Sequence, residues 1–112
     1  MKKVCFEDVA PYAAAGHFNT ASLRLCGKDE VGSSKFWVGL SHFLPGGGVD
    51  YSGEEQTNEK VYIVVEGEVT VSSKTEEYVL KAMDTLYIAP GEGRSILNKT
   101  NKPASMLVIA NY

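Results

Sequence analysis

Short runs rich in Val, Ile, Tyr, Phe and Thr recur along the whole chain, and clusters of Gly, Pro, Asn and Asp separate them. Runs of this composition favour strands, because β-branched and aromatic side chains pack well on a pleated surface. No segment keeps an apolar period of about 3.6 residues, so no long helix is expected to cover a sheet. The pattern therefore predicts an all-β sandwich or barrel that closes on itself.

These runs predict nine short strands and four tight turns. The predicted strands are Val4–Phe6, Asn19–Cys26, Lys35–Leu44, Lys60–Val65, Val69–Ser73, Glu77–Leu80, Thr85–Ile88, Ser95–Asn98 and Ser105–Ala110. Turns are predicted at 27–34, 45–48, 73–76 and 90–93, where residues that tolerate left-handed backbone geometry cluster. Between Pro11 and Gly16, an alanine-rich piece with proline near its start and glycine at its end allows one turn of helix.

Alternation in the run Lys35–Leu44 predicts which side chains face the interior. One face carries Trp37, Gly39, Ser41 and Phe43, and the other carries Phe36, Val38, Leu40, His42 and Leu44. Both faces are mostly apolar, whereas the outer face of a small barrel is normally polar. We therefore expect a second subunit to cover the outer face, which predicts a homodimer.

The length of 112 residues suits one domain, and we assign residues 1–112 to it. Apolar residues make up 44% and charged residues 22% of the chain, which is ordinary globular usage. No apolar stretch approaches the roughly 20 residues of a membrane helix, and the segment Met1–Asp8 turns acidic before a signal-peptide core develops. A cytoplasmic location without membrane contact is expected.

Charge and cysteine content exclude further classes. The net charge is -3 and the basic residues are scattered, whereas nucleic-acid binders concentrate Lys and Arg on one face. Cys5 and Cys26 are too few and too isolated for a disulfide framework or a zinc site, so we expect both to be buried small hydrophobic residues.

Two stretches carry a family resemblance. The first runs from Pro45-Gly46-Gly47 to Gly67, and the second runs from Met83-Asp84 through Pro90 and Gly91 to Asn98. They resemble the two motifs of the cupin superfamily, in which a glycine turn, a His-x-His pair, a Glu and a Gly are followed by Gly-Asp, Pro-x-Gly, a His and an Asn. With the flanking strands, the resemblance covers most of the chain. It implies a cupin-like double-stranded β-helix barrel of the jelly-roll type.

The same resemblance implies that the usual metal ligands are replaced. Counting back from Gly67 puts Lys60 at the position of the family's glutamate, and Gln56 and Glu54 at the two histidines, or Glu55 and Gly53 if the loop is one residue looser. Arg94 stands where the fourth ligand, a histidine, would be. An ammonium or guanidinium group has no lone pair for a cation and repels it, so no metal or other cofactor is expected. His17 and His42 lie outside the motif positions, and hydrogen-bonded structural roles are expected for both.

In a barrel of this kind, the resemblance implies that four side chains converge at the mouth, above an aromatic and apolar lining. The four are Glu54, Gln56, Lys60 and Arg94, and the lining is Tyr62, Trp37, Ser41, Met106 and Val108. Two cations beside aromatic walls favour a small carboxylate or phosphate, which Arg94 would hold as a fork and Lys60 as a point charge. Glu54 and Tyr62 are the candidates for proton transfer.

Metal-independent binding of a small anionic metabolite is thus the first hypothesis, and three alternatives stay open. Glu54, Lys60 and Arg94 form a salt-bridge plug in place of the metal in one alternative. In another, the protein is an isomerase, lyase or decarboxylase that uses Glu54, Tyr62, Lys60 and Arg94 for acid-base chemistry. The last is a metalloenzyme with ligands drawn from His42, Glu54, Gln56 or the tyrosines.

Overall fold

A computed structural model describes residues 1–112 and consists mainly of strands. Eight strands are present: β1 (His17–Cys26), β2 (Phe36–Ser52), β3 (Lys60–Glu66), β4 (Glu68–Ser72), β5 (Glu77–Lys81), β6 (Thr85–Ile88), β7 (Arg94–Leu97) and β8 (Ala104–Asn111). Two short helices complete the fold, a 3-10 turn at Phe6–Asp8 and α1 at Lys28–Val31. The all-β prediction is confirmed. No helix is long and apolar enough to cross a membrane.

The strands form a nearly closed barrel of the jelly-roll type. Neighbouring strands follow the order β5-β4-β7-β2-β8-β3-β6, and β1 pairs with β2. The long strand β2 joins the two halves of this barrel, because Phe36–Phe43 pair with β8 whereas Gly48–Ser52 pair with β7. All of these pairings are antiparallel. The expected cupin-like fold is therefore confirmed.

The predicted turn at 45–48 is wrong, because β2 continues through it. Gly46 has a positive φ of 79°, so the strand is irregular where it passes from one half of the barrel to the other. A Cβ on Gly47 would overlap the carbonyl oxygen of Asn19 in β1, and one on Gly48 would overlap that of Ile96 in β7. These two glycines allow close approach of neighbouring strands rather than a reversal of the chain.

Three further predictions fail near the amino terminus. Val4–Phe6 forms no strand, and its last residue begins the 3-10 turn. The segment Pro11–Gly16 forms no helix, since Tyr12 instead makes an isolated β-bridge with Ser22. Helix α1 lies in the predicted turn at 27–34 and ends at Gly32, whose φ of 77° stops it. Cys5 and Cys26 are unpaired and only partly buried.

The hydrophobic core fills one part of the barrel interior. Its members come from both halves: Phe43, Tyr62, Val64, Val69, Val71, Leu80, Ile88, Ile96, Ala104 and Met106. Burial along β2 matches the predicted alternation, because Gly39, Ser41 and Phe43 are buried whereas Phe36 and Leu44 are exposed. The rest of the interior, towards Trp37 and Lys60, is not filled by side chains and contains the cavity described next.

Candidate functional site

A cavity of about 170 Å3 lies inside the barrel between β1, β2, β3, β7 and β8. Its polar wall comprises Tyr12, His17, Ser22, Ser41, Ser52, Gln56, Lys60, Tyr62 and Arg94. Its apolar wall includes Leu23, Trp37, Phe43, Val49, Ile96, Met106 and Val108. No Asp or Glu lines the cavity, although two cations do.

Strand register explains why these side chains meet. Directly opposed residues of an antiparallel pair project to the same face of the sheet. Tyr62 of β3 lies opposite Val108 of β8, which lies opposite Gly39 on the inner face of β2. Because side chains alternate, Lys60 shares the inner face with Tyr62 two residues later. Strand β3 therefore supplies both a cation and a phenol to one wall of the cavity.

Arg94, the first residue of β7, is only 9% exposed and has no carboxylate partner. Its Nε donates to the Tyr62 hydroxyl at 3.0 Å, and its Nη1 donates to Gln56 Oε1 at 3.2 Å and to the Glu92 carbonyl oxygen at 3.3 Å. All three acceptors are neutral. Gly53, with a φ of 102°, makes room for this guanidinium, since a Cβ there would overlap Nη1.

The structure has only two ion pairs, and neither involves the cavity. Glu54 pairs with Lys74 at 2.6 Å and accepts the Tyr51 hydroxyl at 2.9 Å, and Glu77 pairs with Lys99. These partners hold Glu54 in an exposed position, so it does not converge with Lys60 and Arg94 as predicted. For the same reason, the salt-bridge plug among Glu54, Lys60 and Arg94 is not formed.

Lys60 is half-buried at the cavity wall and has no carboxylate within ion-pair distance. Burial and, to a smaller extent, the Arg94 charge lower the pKa of its ammonium to about 8, although Glu55 opposes both effects. A lysine in this state carries its charge at neutral pH and loses it one to two pH units higher. It can therefore act as an anion-binding cation or, when neutral, as a nucleophile.

Tyr62 is buried beneath Arg94, whose guanidinium carbon lies 5.7 Å from the ring centroid. Burial raises the pKa of the Tyr62 phenol, and the neighbouring Arg94 charge and hydrogen bond only partly oppose this effect. The phenol thus keeps its proton at neutral pH. Because its oxygen accepts from Arg94, its O–H remains free to donate to a bound molecule.

Ser22 adds an unpaired hydroxyl to the cavity wall. It lies opposite Ser41 in the β1–β2 register and is only 4% exposed, and its Oγ has no hydrogen-bond partner in the protein. Buried hydroxyls are normally satisfied by the protein or by ordered water, and Ser22, which lines the cavity without a protein partner, is an exception. The sequence analysis missed Ser22, because its inward direction follows only from its pairing with Ser41.

Trp37 lines the cavity and stacks against a cation. The Arg24 guanidinium carbon lies 4.1 Å from the Trp37 ring centroid and 5.7 Å from that of Tyr12. This stack fixes the indole at the cavity wall. Tyr12 lies within the segment Pro11–Gly16, which was predicted to form one helical turn, and it was likewise not expected at the site.

The donor groups of the cavity do not fit a transition metal. Nowhere does the chain bring together three or more His, Cys, Asp or Glu residues that could hold one. His17 lines the cavity, but its Nδ1 lies 2.9 Å from the Ala15 carbonyl oxygen. His42 projects from the other face of β2, with its Nδ1 2.7 Å from Ser105 Oγ. With Lys60 and Arg94 at two of the motif positions, the cavity carries the wrong charge for a cation.

The structure brings together most of the predicted site residues around one cavity. These are Trp37, Ser41, Gln56, Lys60, Tyr62, Arg94, Met106 and Val108, whereas Glu54 lies outside. Tyr12 and Ser22 were not predicted at the site, His17 was expected to have a structural role, and Gly53 was named only as an alternative motif position. Of these, only Gly53 left a signal, because a glycine in the loop before β3 indicates an unusual backbone angle or a close approach.

The cupin domain model matches residues 39–110, and the chain therefore belongs to the cupin family. A β-D-galactosidase of Mycobacterium tuberculosis is 38% identical to it over 108 residues, which cover 96% of this chain and 91% of that protein. Both comparisons agree with the barrel and with the two sequence motifs.

Solved structures share the fold at low sequence identity. The polyketide cyclase RemF of Streptomyces resistomycificus has a TM-score of 0.86 and 19% identity, covering 99% of this chain and 79% of its own. A cupin sugar phosphate isomerase of Silicibacter pomeroyi has a TM-score of 0.82 and 22% identity, covering 99% and 76%. A predicted oxalate decarboxylase of Thermotoga maritima has a TM-score of 0.81 and 17% identity, covering 98% of each chain. These three proteins are similar to the chain in fold.

Proposed function

We propose that the barrel binds a small metabolite with a carboxylate or phosphate group, without the help of a transition metal. The observation that carries this proposal is Arg94, a buried guanidinium without a negative partner at the wall of a cavity. Removing a charge from water costs several kcal/mol unless an opposite charge and hydrogen bonds compensate it. An anion in the cavity supplies both, and Lys60 adds a second positive charge.

The anion we propose is also hydroxylated. The hydroxyls of Ser22 and Ser41 offer hydrogen bonds, and Gln56, whose Oε1 accepts from Arg94, has amide N–H groups to donate. Trp37 gives a flat apolar surface of the kind that packs against a sugar ring or a short carbon chain. The names of two similar proteins, a galactosidase and a sugar phosphate isomerase, also point to sugar-like ligands. A sugar acid or a sugar phosphate combines these properties.

A thermal-shift screen tests the proposal with matched probes. Glucuronate, gluconate and glucose 6-phosphate are compared with glucose, which has the hydroxyls but no charge. A ligand at about 100 times its dissociation constant adds about 2.7 kcal/mol to the unfolding free energy, so a bound anion raises the melting temperature by several degrees. Glucose leaves it unchanged.

Two variants complete the screen. Arg94→Met removes the shift, whereas Lys99→Met, which removes an exposed charge that pairs with Glu77 outside the cavity, retains it. Equal shifts in both variants contradict the assignment of the anion to Arg94. No shift with any anion contradicts the proposed function itself.

A second candidate function is hydrolysis of a β-D-galactoside, favoured by the 38% identity to the mycobacterial galactosidase. Glycosidases commonly use two carboxyl groups on either side of the bond that is cleaved. The cavity wall has none, and the nearest candidates are Glu54 and Glu55 in the loop before Gln56. Release of nitrophenol from a nitrophenyl β-galactoside by wild type, and its loss in Glu55→Gln, is the expected result if this function is correct. Equal rates in both contradict a role for Glu55.

The homodimer predicted from the sequence remains part of the proposal. Phe36 and Leu44 are 48% and 57% exposed on the outer face of β2, and a second copy that covers them would bury this apolar surface. Light scattering after size exclusion is expected to give twice the monomer mass, and Leu44→Glu is expected to give the monomer. A monomeric wild type contradicts this part.

A further inference from the structure

Lys60 supplies the only primary amine on the cavity wall, and no carboxylate pairs with it. It makes no ion pair and no side-chain hydrogen bond, and it lies on the inner face of β3. The other cation-bearing wall residue, Arg94, cannot act as a nucleophile, because guanidinium stays protonated in proteins. Anion binding accounts for the charge of Lys60 but leaves its chemistry as an amine unused.

We propose that Lys60 captures the carbonyl group of a small 2-oxo acid as an imine, while Arg94 holds the carboxylate of the same molecule. This inference rests on the proposed function, since the carboxylate occupies the anion site. In a 2-oxo acid the carbonyl and the carboxylate are neighbours. The cavity likewise places an amine beside a buried guanidinium.

The contacts of Tyr62 connect these two groups. Tyr62 is two residues from Lys60 on the same face of β3, and its oxygen accepts the Arg94 Nε–H at 3.0 Å. A carboxylate that binds the free edge of Arg94 therefore brings the adjacent carbonyl towards the part of the wall that Lys60 and Tyr62 share. The Tyr62 O–H is available to donate to the carbonyl oxygen.

The reaction is balanced without an oxidant or reductant. The lone pair of neutral Lys60 attacks the carbonyl carbon, a C–N bond forms, and the carbonyl oxygen takes up a proton to give a carbinolamine. The nitrogen then loses a proton, the hydroxyl oxygen takes up a second proton, and the nitrogen lone pair breaks the C–O bond so that water leaves. Loss of the remaining N–H proton gives the imine. An electron-withdrawing imine beside a carboxylate is the usual starting point for decarboxylation or for proton loss at the next carbon.

The environment makes neutral amine available near physiological pH. The charged and titratable groups around Lys60 are Arg94, Glu55, Tyr62 and His17, of which Arg94 and burial favour the neutral amine and Glu55 opposes it. With a pKa of about 8, roughly a tenth of the amine is neutral at pH 7. A lysine that is desolvated and next to another cation is a known route to a nucleophilic amine.

Reductive trapping tests the inference. The full-length protein is incubated with pyruvate and cyanoborohydride at pH 7.5, and parallel samples contain acetone, which has the carbonyl without the carboxylate. Intact-mass and peptide analysis are expected to find one reduced adduct per chain, on Lys60. Pyruvate is expected to label at least tenfold faster than acetone. Labelling spread over the surface lysines, or equal rates with both probes, overturns the inference.

Matched variants separate the imine from the anion site. Lys60→Arg keeps the charge without a nucleophilic nitrogen, so it is expected to lose trapping and retain a thermal shift with lactate, which is unreactive. Lys74→Met removes an exposed lysine paired with Glu54 and is expected to label like wild type. Circular dichroism verifies that each variant is folded.

The two failures are distinguishable. A lactate shift in wild type without any trapping overturns the imine and leaves the anion site standing. Trapping on Lys60 that Arg94→Met leaves unchanged overturns the role of Arg94 in holding the carboxylate. If wild type shows no thermal shift with lactate and no trapped adduct with pyruvate, both the proposed function and the inference are contradicted.

Discussion

Two buried polar residues four positions apart, Arg94 and Asn98, are satisfied in opposite ways. Asn98 is fully buried, and its amide donates to the carbonyl oxygens of Phe43 at 3.3 Å and Lys102 at 2.7 Å. Its Oδ1 accepts the Thr100 amide at 3.0 Å and the Thr100 hydroxyl at 2.8 Å. Arg94 is 9% exposed, and all its acceptors are neutral.

This difference distinguishes a buried polar side chain that stabilises the fold from a buried charge that the fold leaves uncompensated. A buried amide with all its hydrogen bonds formed stabilises the fold, because each lost partner would leave an orphan group. A buried charge without a counter-charge costs free energy that the fold does not recover by itself. Both residues lie in the second stretch that resembles a cupin motif. Asn98 is satisfied within the fold, whereas the proposed function assigns Arg94 to a bound anion.

The largest effect is expected for Asn98→Ala. The substitution removes the donor to the carbonyl groups of Phe43 and Lys102 and the acceptor for the Thr100 amide, which is expected to lower the unfolding free energy by about 3 kcal/mol or more. Denaturant unfolding measures it. The matched control is Asn101→Ala in the same loop, where the exposed side chain makes no hydrogen bond and the change is expected to stay within about 0.5 kcal/mol. Equal losses of unfolding free energy in Asn98→Ala and Asn101→Ala would contradict a structural role for the Asn98 hydrogen bonds.

Arg94→Met is expected to show the reverse pattern. The methionine removes an uncompensated buried charge, so the unfolding free energy of the free protein is expected to change by less than about 1 kcal/mol or to rise. Loss of charge-assisted hydrogen bonds is expected to weaken anion binding by roughly 2 to 3 kcal/mol. Calorimetric titration measures the affinity. Strong destabilisation with unchanged affinity would make Arg94 a structural residue like Asn98.

The sequence predicted most of the barrel because its information is local. Alternating apolar residues in Lys35–Leu44 and Lys60–Val65 define strands and their inner faces without reference to distant residues. The turn predicted at Gly46–Gly48 was wrong because glycine suits either a turn or a close contact between strands. The close approach of Asn19 and Ile96, which are distant in sequence, shows that the contact is the reason here. Val4–Phe6 has strand-like composition but no partner strand.

Titration of Lys60 is expected to change the stability of the free protein and its anion affinity in opposite directions as the pH rises. Its pKa in the fold, about 8, lies below the ordinary value of 10.5, so the unfolded chain binds more protons between these values and the stability of the free protein rises with pH there. Anion affinity instead falls above pH 8 as the ammonium loses its charge, by about 1 kcal/mol. Lys60→Arg is expected to lose both trends, and their persistence in that variant would assign them to another group.

A smaller effect is expected for Ser22→Ala. The hydroxyl has no partner in the protein, so its removal is expected to leave the unfolding free energy within about 0.5 kcal/mol. Binding of a hydroxylated anion is expected to weaken by about 1 kcal/mol, whereas the affinity for acetate, which has no hydroxyl, is expected to be unchanged. Calorimetry with glucuronate and acetate measures both. A stability loss without any change in affinity would class Ser22 with Asn98.

The smallest effect is expected for Glu54→Gln. Glu54 is exposed, and its partner Lys74 is even more so, which makes the ion pair weak. Neither the unfolding free energy nor anion affinity is expected to change measurably in the same assays. A clear loss of anion affinity would instead support the position at the barrel mouth that the motif spacing predicted for Glu54.

The site was less predictable than the fold for physical reasons. Motif spacing placed Lys60 and Arg94 at one cavity, because each is the first residue of a strand. Gln56 lies in the loop before β3 and reaches the cavity through its hydrogen bond with Arg94. Glu54 lies in the loop before β3, where the direction of a side chain depends on its partners Lys74 and Tyr51 rather than on spacing. Ser22 required the register of β1 on β2, which no single-strand pattern contains.

The most direct test of the central claim is nitrogen-15 NMR of the Arg94 side chain during titration with glucuronate at pH 7. Buried and bonded to Tyr62, its Nε–H is expected to give a resolved signal, identified by its absence in Arg94→Met. The account predicts that this signal shifts saturably with the anion and stays in place with glucose. A saturable shift elsewhere in the spectrum, with the Arg94 signal unmoved, would contradict it.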